Sequence, residues 1–182
     1  YRFQNPLLRL AKALDLNQEK KESFFQHLKQ EGNKLVEVIS YCLMPNHFHL
    51  LLKQLVENGI SRFLSNFTNS YTRYFDTKHT RIGPLFEGPF KAVRIESNGQ
   101  LIYVNRYIHL NPIASFIVKE QYLDTYLWSS LPEYLELCKE EICDKKIVLD
   151  QFSSIEEYRK FVHDQIDYAQ KLGKIKHLII ED

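Results

Sequence analysis

The alternation of apolar and polar positions divides the chain into blocks before any chemistry is considered. Residues 7–31 read as helical, with Leu7, Leu8, Leu10, Ala11 and Leu14 on one side and a second helical piece over 18–30, ended by Gly32-Asn33. The period then changes. Across 34–43 the residues Leu35, Val36, Val38, Ile39, Tyr41 and Leu43 are mostly β-branched, aromatic or apolar, which predicts a strand. Pro45-Asn46 is a turn signal and 47–55 resumes a strand, so the two predict an antiparallel hairpin.

Asn58-Gly59 breaks the chain, and Ser61 is placed to cap a helix whose Phe63, Leu64, Phe67, Tyr71, Tyr74 and Phe75 form one apolar stripe. Gly83-Pro84 and Gly88-Pro89 bracket a loop, after which 90–95 predicts a strand. Ser97 opens another helix through Leu101, Ile102, Val104, Tyr107 and Ile108. Asn111-Pro112 closes it, because a residue before proline is pushed out of helical geometry. The chain changes character at about Tyr126 and ends in a helical run over 155–172. The order helix, strand, strand, helix, strand, helix predicts an α+β fold: a small antiparallel sheet with helices packed on one face. The expected organisation is a domain over 1–125 followed by a helical tail over 126–182.

Composition narrows the classes. The 182 residues suit one core of useful size, and no apolar run approaches the roughly 20 residues of a membrane span. The first residues carry no signal-peptide pattern, and Cys42, Cys138 and Cys143 form no CxxC pair, so the expected compartment is a reducing cytoplasm. Net charge is only +1 but is unevenly spread. Between 60 and 106, seven basic residues (Arg62, Arg73, Lys78, Arg81, Lys91, Arg94, Arg106) face three acidic ones, whereas 120–182 holds 8 basic and 14 acidic. A polyanion partner for the middle of the chain, or an ordinary solvated helix face, would each give this pattern.

The candidate chemistry starts at "MPNHFHLLL" (44–52). In a strand His47 and His49 share one face, roughly 6–7 Å apart by strand rise, and Phe48 takes the other. Two imidazoles so placed either converge on one divalent ion, leaving positions open for phosphate oxygens, or bond locally and face solvent. On the later helix, Tyr103, Tyr107 and Asn111 recur every four residues and share a stripe. An Asn carbonyl oxygen can ligate a hard cation, and a phenol becomes a nucleophile only when activated. His109, two residues from Tyr107, is the competing ligand and points elsewhere on a regular helix. Tyrosines in a helix are also ordinary core residues.

Taken together, the segments "YCLMPNHFHLLL" (41–52), "SRFLSNFTNSYTRYF" (61–75), "GPLFEGPFKAV" (83–93), "YIHLNP" (107–112) and "WSSLPEY" (128–134) resemble the single-tyrosine HUH transposases. The likeness is to the REP-associated tyrosine transposase group, with its insertion-sequence 200-like domain, and it covers about 35–134. The resemblance implies a ferredoxin- or RRM-like palm and metal-dependent nicking and strand transfer of single-stranded DNA at hairpin-associated sites. It implies Tyr107 as the nucleophile that forms a 5′-phosphotyrosine. His47 and His49 with Asn111 would hold Mg2+ or Mn2+. Members usually open on a strand reading like "YHVYNRG"; this sequence starts at Tyr1 without it, so that strand is expected to be missing. It also has Pro89 where members have Arg. Related enzymes include monomers and homodimers.

Arg62, Arg73, Arg81, Lys91 and Arg94 are the expected backbone-phosphate contacts, and Phe86 and Phe90 either stack unpaired bases or anchor the loop. Two other readings compete with the enzyme: a non-catalytic DNA-hairpin-binding protein derived from one, and a water-using metal nuclease in which Tyr107 is structural.

Overall fold

A computed structural model describes residues 34–139 and 141–180, with backbone alone for 174–180. The helices expected over 7–31 lie outside the described residues. Strand β1 spans Val36–Leu43 and strand β2 Phe48–Gln54. They pair antiparallel, Leu43 opposite Phe48 and Val36 opposite Gln54. The predicted hairpin is therefore present, with Pro45-Asn46 at its turn. The register slips by one between Val38 and Ser40, which leaves Ile39 as the extra residue of a bulge. The Ile39 carbonyl accepts a hydrogen bond from the Tyr134 hydroxyl at 2.8 Å. Among the described residues the sheet has these two strands.

Helix α1 (Gly59–His79) begins two residues before the expected cap at Ser61. Asn58 turns the chain in the left-handed region, φ 55°, and Gly59 enters the helix directly. Any side chain at Gly59 would run into the carbonyl of Leu35 at the mouth of β1, so close packing sets this boundary. Residues 90–95 form no strand and are irregular. A strand needs an edge to pair with, and among the described residues no backbone hydrogen bond joins this segment to another.

Helix α2 (Asn98–Ala114) starts as expected, Ser97 Oγ accepting from the Gln100 N–H at 3.2 Å. It does not stop at Asn111 but runs through Pro112. The missing proline N–H lies in the last turn, and the Pro112 carbonyl is used by the N–H groups of Ile117 and Val118 at 2.9 and 3.3 Å. Short helices follow at Leu131–Tyr134 (α3) and Lys146–Leu149 (α4), then α5 (Ile155–His163) and α6 (Ile166–Ile180). The single helical run expected over 155–172 is thus two helices, turned at Asp164-Gln165. The turn lies between two anchors. Asp124 holds α5 through Arg159 and His163, both at 2.7 Å, and Gly173 seats α6 against the α2 carbonyl of Ala114.

The α+β class is the predicted one, and the layering goes beyond a single helical face. Phe48 meets Phe67 of α1 at 5.4 Å between ring centroids, while its neighbour His49 meets Tyr107 of α2 at 5.6 Å. Adjacent strand residues point to opposite sides, so both sides of the ribbon are covered. The segment after residue 126 enters the same core: Leu131, Tyr134, Val148, Tyr158 and Val162 are buried with Ile39, Cys42, Leu51, Ile108 and Ile113. It also bonds along the edge of β1 away from β2. Ser129 bridges Cys42, Leu43 N–H donates to Trp128 O at 2.7 Å, and Ser130 N–H to Tyr41 O at 3.0 Å.

Candidate functional site

The hairpin turn carries the first half of the site. His47 and His49 lie on one side of β2 with ring centroids 4.7 Å apart, edge to face. Nδ1 of His47 lies 2.6 Å from Oδ1 of Asn46. An amide oxygen only accepts, so the neutral ring carries its proton on Nδ1 and presents the Nε2 lone pair. Asn46, read from the sequence only as a turn residue, therefore orients one of the paired imidazoles.

The second half comes from α2. Tyr107 is 49% exposed, and its ring packs against the His49 ring at 80°. Asn111, one turn later, is only 6% exposed. Its Nδ2 donates to the Tyr107 carbonyl at 2.8 Å. This bond fixes the amide orientation and leaves Oδ1 as its acceptor atom. Both halves belong to one chain, so the arrangement forms without a second copy.

His109 is on the opposite side of the helix, fully buried, as the helical spacing predicts. The Tyr158 hydroxyl donates to Asn105 Oδ1 at 2.6 Å, so it accepts from His109 Nδ1 at 2.7 Å. Nε2 then accepts from Ser130, at 2.7 Å, in preference to the 3.2 Å alternative between that hydroxyl and the Tyr41 carbonyl. Ser130 Oγ in turn accepts the Tyr41 N–H at 2.9 Å. Every step requires a neutral ring, and burial pushes the His109 imidazolium down to about 3. His109 is thus no ligand: it ties the back of α2 to β1 through the 128–158 segment. The sequence places it off the Tyr107/Asn111 face of the helix but does not show this chain of hydrogen bonds, whose members are 89 and 49 residues from their partners.

A metal ion would need donors that converge. Among the described residues no three His, Cys, Asp or Glu side chains do so. The residues of this region that could hold one are mixed in kind: the paired imidazoles of His47 and His49, and the amide oxygen of Asn111 one turn after Tyr107. Two nitrogens and a neutral oxygen leave much of a divalent ion's shell for phosphate oxygens.

The basic candidates separate into groups. Arg62 and Arg73 are exposed on α1 and, eleven residues apart, share a face. Lys91 and Arg94 are exposed in the irregular segment. Arg81 is engaged within its own loop, bonding Asp76 at 3.3 Å and the Pro84 carbonyl at 2.7 Å. Of the two loop aromatics, Phe86 packs on Phe48 and Tyr71 at 6.1 and 6.2 Å and anchors the loop, while Phe90 is exposed. Arg106 had entered only as one of seven basic residues. It donates to the Phe161 carbonyl at 3.2 Å and covers the Phe161 ring at 4.2 Å; its place beside Tyr107 was the available signal.

The fold and site are those of an α+β domain in which paired imidazoles at a hairpin meet a helix-borne tyrosine. The family model for IS200-like transposases matches residues 12–111, more than half of the chain, and the chain belongs to that family. The match contains His47, His49 and Tyr107 and ends on Asn111. No curated protein and no solved structure matches the chain. Membership gives transposition as the coarse activity and DNA as the partner, and such transposases generally use divalent metals. Among the described residues no helix is long and apolar enough to cross a membrane.

Proposed function

We propose that the chain is a single-tyrosine HUH transposase of the REP-associated group, acting on single-stranded DNA beside hairpins. The observation that carries the reading is the edge-to-face contact of His49 with Tyr107, 5.6 Å between ring centroids. It joins a strand residue to a helix residue 58 positions away, next to the amide of Asn111.

The Tyr107 oxygen attacks the scissile phosphorus. Its bond to phosphorus forms as the bond to the 3′ oxygen breaks, the phenol loses its proton and the leaving 3′ oxygen gains one. The products are a 5′-phosphotyrosine and a free 3′-hydroxyl, and attack of another 3′-hydroxyl on the phosphotyrosine completes strand transfer. His47, His49 and Asn111 would hold Mg2+ or Mn2+, which would supply positive charge to the phosphoryl oxygens. Asn46 holds the His47 ring in its ligand tautomer. Arg62, Arg73, Lys91 and Arg94 contact phosphates along the strand, and Arg81 acts by holding the loop that leads to Lys91 and Arg94. Residues 1–125 carry the chemistry, and in the segment after them Ser130 and Tyr158 brace α2 against β1. The reaction takes place in the cytoplasm and needs no dimer to assemble the site.

The test is incubation of the full chain with a single-stranded DNA hairpin and Mn2+, followed by a denaturing gel. A protein–DNA band is expected, and Tyr107→Phe should abolish it while hairpin binding persists. An adduct that survives the substitution, or cleaved DNA with no protein attached, rejects Tyr107 as nucleophile. Salt-sensitive binding without cleavage would leave the non-catalytic hairpin binder.

A further inference from the structure

A groove of about 210 Å³ lies between α2 and α6. Tyr103, Arg106, Tyr107 and Asn111 form one wall, and Tyr168 and Leu172 the other. Its chemistry is unlike that of a buried core. Tyr103, Tyr107 and Tyr168 are 57%, 49% and 59% exposed. The Arg106 guanidinium is fixed there, 5.0 Å from the Tyr103 ring centroid and bonded to the Phe161 carbonyl. The wall is set by contact rather than by chance: at Gly173 the two helices touch so closely that a methyl group would collide with the Ala114 carbonyl.

These features specify an occupant. Exposed rings favour a flat π-face, a held cation favours a nearby negative charge, and the volume is below the roughly 300 Å³ at which pockets for drug-sized ligands begin. Tyr107 and Asn111 line this groove, and the Tyr107 ring also packs against the His49 ring. Whatever fills it is therefore covalently continuous with, or directly beside, the group at Tyr107. An unpaired nucleobase meets each condition. A base inside a duplex does not, because both its faces are already stacked.

We propose that the α2–α6 groove receives the unpaired base next to the phosphate attacked by Tyr107, with Tyr168 as its stacking platform. The proposal rests on the phosphoryl-transfer reading above. It adds a base-stacking subsite whose platform lies on the segment after residue 126, beyond the end of the family match.

The test measures binding of a short fluorescein-labelled oligo(dT) to the full chain by anisotropy, in chelator and without added metal, so that chemistry does not enter. Tyr168→Ala should weaken binding roughly 5- to 100-fold, and Tyr168→Phe, which keeps the ring, should bind like the unsubstituted chain. Because Tyr168 is exposed, both variants should fold, which circular dichroism checks. Equal binding by Tyr168→Ala overturns the proposal. So does a change from dimer to monomer in sedimentation on Tyr168→Ala without DNA, which would make the groove a contact between copies. The adduct assay separates the two readings. Weakened oligo(dT) binding with no adduct from the unsubstituted chain leaves the groove and removes the nicking reaction. Unchanged binding with a normal adduct does the reverse.

Discussion

His109 and Ser130 meet in the core at 2.7 Å, Nε2 to Oγ, and the same hydroxyl receives the backbone N–H of Tyr41 at 2.9 Å. One side of α2 thus carries Tyr107 while the other is fastened to the strand that pairs with the histidine strand. The sign of the pH effect follows. The folded chain holds His109 neutral down to about pH 3, whereas the unfolded ring takes a proton below about 6.5. The stabilisation is full above about pH 6.5 and is lost as pH falls from there toward 3, at up to about 1.4 kcal/mol per pH unit. Urea unfolding at several pH values between 7 and 5 should show this loss, and His109→Gln should flatten the slope. A variant with an unchanged slope would remove His109 as its source.

Gly173 seats α6 on α2, and a methyl there would strike the Ala114 carbonyl. Backbone cannot move aside as a flexible side chain can. Gly173→Ala should therefore cost on the order of 1–3 kcal/mol, although alanine is the better helix former. Thermal unfolding would show a lowered midpoint. A raised midpoint would mean that the two helices do not touch at this residue.

Arg62 and Arg73 lie on one exposed face of α1, three turns apart. If both contact phosphates, replacing each by alanine should reduce the dependence of log K on log salt by about 0.7 for single-stranded DNA. Oligo(dT) titrations at several salt concentrations give the slope. An affinity loss with the slope unchanged would assign the two arginines to something other than phosphate.

The placement of the candidate residues on their elements was legible because it depends on local geometry. Period two puts His47 and His49 on one face, and a four-residue step stacks Tyr107 on Asn111; neither needs a distant partner. The hairpin and the Ser97 cap were legible for the same reason. The irregular course of 90–95 was not, because strand formation depends on an edge to pair with and not on composition alone. The start of α1 was misplaced because packing at Gly59 against Leu35, unseen in a linear pattern, outweighs a serine's capping preference.

By itself the sequence determined the side of each element that the candidate residues occupy and the α+β class, since those follow from backbone periodicity. Only the tertiary structure decided that Tyr107 reaches His49, that His109 turns inward to Ser130 and Tyr158, and which residues of the segment after 126 enter the core. Contacts between residues 21 to 89 positions apart depend on how elements pack, and packing is settled by the whole set of buried surfaces at once.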